Sequence, residues 1–146
     1  MTVVAMPEEA KFAPAGDQII VTGIGALNVI EAMRSVPRET PIFNVGYAGA
    51  KGIKIGTRCR VGLVTGWHPI ADYVDRTYQL DGEIPCYTSD DFVLSADAIE
   101  PCLFDMELAY ILALGFTNVT AEKIVSDNLS MTEYEHEKYN REEKDN

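Results

Sequence analysis

"DQIIVTGIGALNVIEAMRSV", Asp17 to Val36, decides the fold class. Ile19, Ile20 and Val21 form a short β-branched run suited to a strand. Gly23 and Gly25 allow a tight turn, and Val29, Ile30 and Met33 then recur at helical spacing. Strand, glycine turn and helix in succession are the building unit of an α/β fold.

The segments on either side extend that unit. "MTVVA" (1–5) is an apolar strand followed by Pro7, Glu8 and Glu9. "PIFNVGYAGA" (41–50) is a strand running into a Gly46–Gly49 turn, and "RCRVGLVTGW" (58–67) is another strand. "RTYQLDGEIPCYT" (76–88) has β-rich arms around Asp81-Gly82, a hairpin signal. "CLFDMELAYILALGF" (102–116) reads as a buried helix, and "AEKIVSDNLS" (121–130) as a last strand ending at Ser126, Asp127 and Asn128. The expected fold is α/β, a single compact domain over 1–131 with a central mixed β-sheet flanked by helices. Its strands should lie near 2–6, 18–22, 42–46, 58–65 and 122–126. From Thr132, "TEYE" has capping-box spacing, so 132–146 is expected to form a charged C-terminal helix or tail.

Composition narrows the function classes. The 146 residues are 47% hydrophobic and carry a net charge of −11. That charge disfavours nucleic-acid polymers and anionic membranes as partners. Between Arg34 and Arg60 there are six basic residues and one acid, Glu39, which reads as a solvated basic edge or as an anion or partner site. Cys59, Cys86 and Cys102 are odd in number and lack CxxC spacing, and His68 and His136 have no neighbouring ligand pattern. No disulfide framework, metal site or cofactor is expected, and a reducing, cytoplasmic setting fits.

The chemistry-bearing residues sit where an α/β sheet places its ligands, beyond the C-terminal ends of strands. Read as a helix, 102–116 puts Glu107 on the same face as Phe104, Ile111 and Leu114. A carboxylate facing a core is costly unless it is paired. It could instead favour the first turn of a helix capped by Asp105. Asp127 could be a turn residue, Glu9 a first-turn acid after Pro7, and Phe92 a core residue. "GIGALN" (23–28) matches the dinucleotide fingerprint only in part, with Asn28 in place of the third glycine, and reads better as a tight strand-to-helix turn.

Taken together, "VVAMPEEA", "GIGALN", "NVGYAGA", "DDFV", "FDMELAYI" and "IVSDN" resemble, in order, the nucleoside phosphorylase and nucleosidase superfamily. They look most like the 5′-methylthioadenosine/S-adenosylhomocysteine nucleosidases, over about Val3 to Asn128. The "DMELA" and "VSD" pieces, 20 residues apart from Glu107 to Asp127, are the most specific. The resemblance implies hydrolysis of the N-ribosidic bond of a purine nucleoside. It implies Glu107 on the ribose hydroxyls, Met106 under the sugar, and Asp127, beside Ser126, as proton donor to the base. Glu9 would activate the attacking water, and Phe92 and Val93 would meet the base. Tyr47 stands near the sugar where the family has a small residue, and Lys123 stands where arginine is usual. The chain is also shorter than a typical member.

Water is favoured over phosphate because "FNVGYAGA" lacks the arginines of the phosphorylases. The alternatives are a nucleoside phosphorylase and a catalytically inert nucleoside-binding or scaffold protein. A small domain with reduced cover over its site should self-associate, so a homodimer or larger homo-oligomer is expected.

Overall fold

The computed structural model describes residues 1–68, 73–91, 93 and 98–129. Phe92 and the expected tail over 132–146 lie outside the described residues. In chain order the elements begin with β1 (Thr2–Val4), a 3-10 helix (Pro7–Phe12), β2 (Ile19–Val21) and α1 (Ala26–Met33). β3 (Ile42–Lys51), β4 (Arg58–His68), β5 (Tyr73–Gln79) and β6 (Ile84–Thr88) follow. β7 (Cys102–Asp105), α2 (Leu108–Ala113) and β8 (Val119–Asp127) complete the order. The eight strands of the described residues form one mixed sheet and so one domain.

Five of these strands pair in a ring. β3 runs parallel to β8, β8 antiparallel to β4, β4 parallel to β6, β6 parallel to β7, and β7 antiparallel to β3. β1 and β2 extend the sheet in parallel from β3, and β5 adds an antiparallel edge to β4. The ring explains the burial. All four residues of β7 are buried, as are the last five of β8. Strands enclosed on both faces lose the apolar–polar alternation and read as continuous apolar runs.

That loss corrects the helix expected over 102–116. Cys102–Asp105 is a strand, and only Leu108–Ala113 is α-helical. "CLF" is apolar on both faces because Leu103 packs into the main core on one side and Cys102 and Phe104 into a second cluster on the other, so periodicity could not separate it from the helix. Asp105 makes the joint. Its Oδ2 accepts from the Leu108 amide at 2.9 Å, which caps the start of α2.

The hairpin around Asp81-Gly82 is also corrected. β5 and β6 do not pair; they lie on opposite sides of β4. The turn bonds across to β4, with the Gly82 amide donating to Val61 O at 3.0 Å. A Cβ on Gly82 would collide with the Arg60 and Val61 carbonyls, so the glycine serves close backbone approach. The Gly46–Gly49 turn is likewise absent. Both glycines lie inside β3, which continues to Lys51 with a register shift between Ala48 and Gly49.

The two helices are tied to the sheet at their ends. Asp90 Oδ1 accepts from the Ala26 amide at 2.7 Å and supplies α1 with a cap from 64 residues away. Arg38 donates to Leu114 O at 2.7 Å and Val36 O at 2.6 Å, and its guanidinium lies over Phe116. Arg38 also donates to Met33 O at 3.4 Å, so one side chain meets the last carbonyl of α1 and the carbonyl that follows α2. Val29 and Met33 of α1 and Leu108 and Ile111 of α2 are buried in the main core.

Candidate active site

A cavity of about 260 Å³ opens where β1, β7 and β8 end and where β3 passes Tyr47–Gly49. Glu9, Tyr47, Val93, Met106, Glu107, Ser126 and Asp127 all line it. Every expected site residue within the described part of the chain therefore meets at one place. These residues come from five separate stretches of sequence, which the fold brings together.

Glu9 is buried at the start of the 3-10 helix after β1. Its Oε1 accepts from the Ala5 and Met6 amides at 3.0 and 2.9 Å, and its Oε2 from the Tyr47 amide at 2.7 Å. Burial pushes its carboxyl above the usual range, opposed by the Tyr47 amide and then by the Lys123 charge. The side chain also accounts for Gly46. A Cβ there would fall inside contact distance of Glu9 Oε2. Gly49 does the same for Asp127, whose Oδ2 would stand 3.1 Å from an added Cβ. The β3 glycines make room for carboxylates, and the chain does not turn there.

Asp127 closes β8 and is almost fully buried. Its Oδ1 accepts from Ser126 Oγ at 2.8 Å and its Oδ2 from the Leu129 amide at 2.9 Å. Both oxygens are oriented, so the carboxyl presents one edge to the cavity. Glu107 sits at the junction of β7 and α2 and is 5% exposed. Burial, helped by Asp105 and Glu9 and opposed by Lys123, pushes its carboxyl up to about 8.

Part of the lining is apolar, supplied by Val93 and Phe104 among others. Val93, Cys102 and Phe104 form a buried cluster, with Trp67, Tyr87 and Leu129 packed against it. Tyr87 stacks on Phe104 with ring centroids 5.5 Å apart. Tyr47 packs edge-on against Phe12, also at 5.5 Å, so its bulk is turned into the protein's own aromatic contacts. The cavity therefore offers both apolar surface and carboxylates to a ligand.

Asp105 and Asp91 also line the cavity, although the sequence reading gave neither a site role. Lys123 stands just behind it, fully buried. A signal for Lys123 was present. Strand parity puts it on the inward face with Ala121, Val125 and Asp127. The basic residues between Arg34 and Arg60 do not line the cavity. Arg58 pairs with Glu122, and Arg60 with Asp81 and Glu122, on the surface.

No protein-family model and no curated protein matches the chain. Solved structures do. A 5′-methylthioadenosine/S-adenosylhomocysteine nucleosidase from Neisseria meningitidis, in complex with methylthio-immucillin-A, superposes with a TM-score of 0.71 at 16% identity. The match covers 92% of this chain and 89% of that one. The MTA-bound MTAN of Chlamydia trachomatis gives 0.75 at 16% identity, over 98% of this chain and 90% of that one. Futalosine hydrolase of Helicobacter pylori gives 0.70 at 15%, over 92% and 88%. This chain has the nucleosidase fold. At such identities the likeness concerns backbone architecture, and the chemistry must be argued from the side chains. In this nucleosidase fold, four buried carboxylates, those of Glu9, Asp105, Glu107 and Asp127, stand around one cavity.

Proposed function

We propose that this protein hydrolyses the N-ribosidic bond of a purine nucleoside resembling 5′-methylthioadenosine or S-adenosylhomocysteine, releasing the free base. The observation that carries this reading is the meeting of Glu9, Glu107 and Asp127 on one cavity that Val93 and Phe104 also line. In the proposed reaction the C1′–N9 bond breaks and its electron pair leaves with the base. The Asp127 carboxyl gives its proton to N7 of the purine. Glu9 takes a proton from the water whose oxygen bonds to C1′. Glu107 accepts from the ribose hydroxyls, and in its ionised form its charge favours the positive character that builds on the sugar. Met106 supports the sugar, Tyr47 stands beside it, and Ser126 orients Asp127. Val93, with Phe92 next to it in sequence, would meet the base.

Water is the better nucleophile for this site. The charged residues lining the cavity, among those described, are all acids: Glu9, Asp91, Asp105, Glu107 and Asp127. An acidic, desolvated cavity opposes an incoming phosphate and suits a neutral nucleoside. The test is incubation with a panel of purine nucleosides, with and without phosphate, followed by detection of free base. Base release independent of phosphate is expected. Strict phosphate dependence would make the protein a phosphorylase, and binding without cleavage would make it an inert nucleoside binder.

A further inference from the structure

Lys123 is, among the described residues, the bulkiest side chain that is fully buried. Its Nζ lies 3.0 Å from Asp105 Oδ2 and 3.8 Å from Glu107 Oε1. The ammonium is aligned for a hydrogen bond to neither, so it acts on both by charge. Asp105 is held in place. Thr88 Oγ1 donates to its Oδ1, the Leu108 amide donates to its Oδ2, and Thr88 Oγ1 itself accepts from the Ala109 amide at 3.1 Å. Burial alone would lower the lysine, but Asp105 first and Glu107 next hold it well above its ordinary value, so it stays charged. Taking such ions out of water costs more than packing an apolar side chain of the same size. Filling space does not account for a lysine here.

We propose that Lys123 is a positioning residue: from behind the cavity its ammonium fixes the charge and the aim of the Glu107 carboxylate, and Asp105 sets how strongly it does so. The consequence for ribose binding rests on the nucleosidase reading, whereas the coupling of the charges does not. The groups that face Glu107 are Asp105 at the end of β7, Lys123 on β8, Glu9 on the 3-10 helix, Cys86 on β6 and Tyr110 on α2. Lys123 is the one cation in that set. Burial, Asp105 and Glu9 raise the Glu107 carboxyl, and Lys123 lowers it. Removing the ammonium must therefore raise the Glu107 midpoint further. Removing the Asp105 charge must lower it, because a like charge is lost and the ammonium is left to Glu107. A merely loosened core would admit water and move both variants in one direction, down toward an ordinary carboxyl.

The experiment is a carbon-13 NMR titration of the glutamate side-chain carboxyls in the full chain, with Glu107→Gln to assign the resonance. Lys123→Met should raise the Glu107 midpoint by about one pH unit or more, the scale of an opposite charge within 4–6 Å. Asp105→Asn should lower it, and Lys123→Arg should restore nearly the parent value. Affinity for formycin A, an uncleavable C-nucleoside, should at fixed pH be weakest in Lys123→Met and strongest in Asp105→Asn, and should strengthen as pH rises through each midpoint. An unchanged or lowered midpoint in folded Lys123→Met overturns the proposal. Should that variant not fold, a midpoint that fails to fall in Asp105→Asn overturns it instead. If the parent does not bind formycin A, the nucleosidase reading falls, while the carboxyl titration still decides whether Lys123 controls Glu107.

Discussion

At the scale of single residues, Glu9, Glu107 and Asp127 are all buried acids, but their surroundings differ. Asp127 is hydrogen-bonded through both oxygens by its chain neighbours Ser126 and Leu129. Glu107 instead answers to charges from other elements. This difference separates their substitutions. Asp127→Asn keeps the shape and removes the transferable proton, so turnover should fall by at least about two orders of magnitude while nucleoside affinity changes little. Glu107→Gln should weaken both, because its ribose contact exists in the ground state and the transition state. Base release and nucleoside affinity measured side by side check this. Near-parent turnover in Asp127→Asn would refute its role as the acid.

At the scale of elements, β3 joins structure to chemistry. It pairs with β1, β7 and β8 and carries the two glycines against which Glu9 and Asp127 lie. The added methyl of Gly46→Ala meets Glu9 Oε2. Glu9 is the far end of a flexible side chain and can swing away, but only by giving up its bonds to the Ala5, Met6 and Tyr47 amides. The substitution should cost about 1–3 kcal/mol of stability and reduce base release by about 10²-fold. Urea unfolding and a turnover assay read the two effects. Parent-like activity would show that the Glu9 contacts are not needed where β3 holds them.

At the scale of the whole molecule, no helix among the described residues is long and apolar enough to cross a membrane. An apolar run nevertheless reaches the surface. Ile19 and Val21 on the edge strand β2, Ile24 at the cavity rim, and Leu27 and Ile30 on α1 are all exposed, Leu27 by 84%. Burial of this surface between copies would cover the sheet edge and the rim together. A homodimer or larger closed oligomer is expected in sedimentation velocity at micromolar concentration. Leu27→Asp should shift it toward monomer. A parent that sediments as a monomer over that range would contradict the expectation.

Several elements were legible in the residues themselves. Strands at β1 and β2, the glycine turn and α1 follow from local chemistry: β-branched runs, positive-φ glycines and a helical apolar stripe between them. Only Glu107 was conspicuous on physical grounds, as a carboxylate facing a core; Glu9 and Asp127 read singly as helix-end and turn residues, and the order of motifs and its resemblance singled them out. The tertiary structure alone decided the rest. It made "CLFD" a strand whose alternation was erased because apolar clusters pack on both its faces. It separated β5 from β6 by inserting β4 between them. It placed the lysine of "EKIV" between two acids, because the charges that hold an ion in a core come from strands distant in sequence. Local pattern reports which face is apolar. What fills the far side of that face is decided by the closure of the ring.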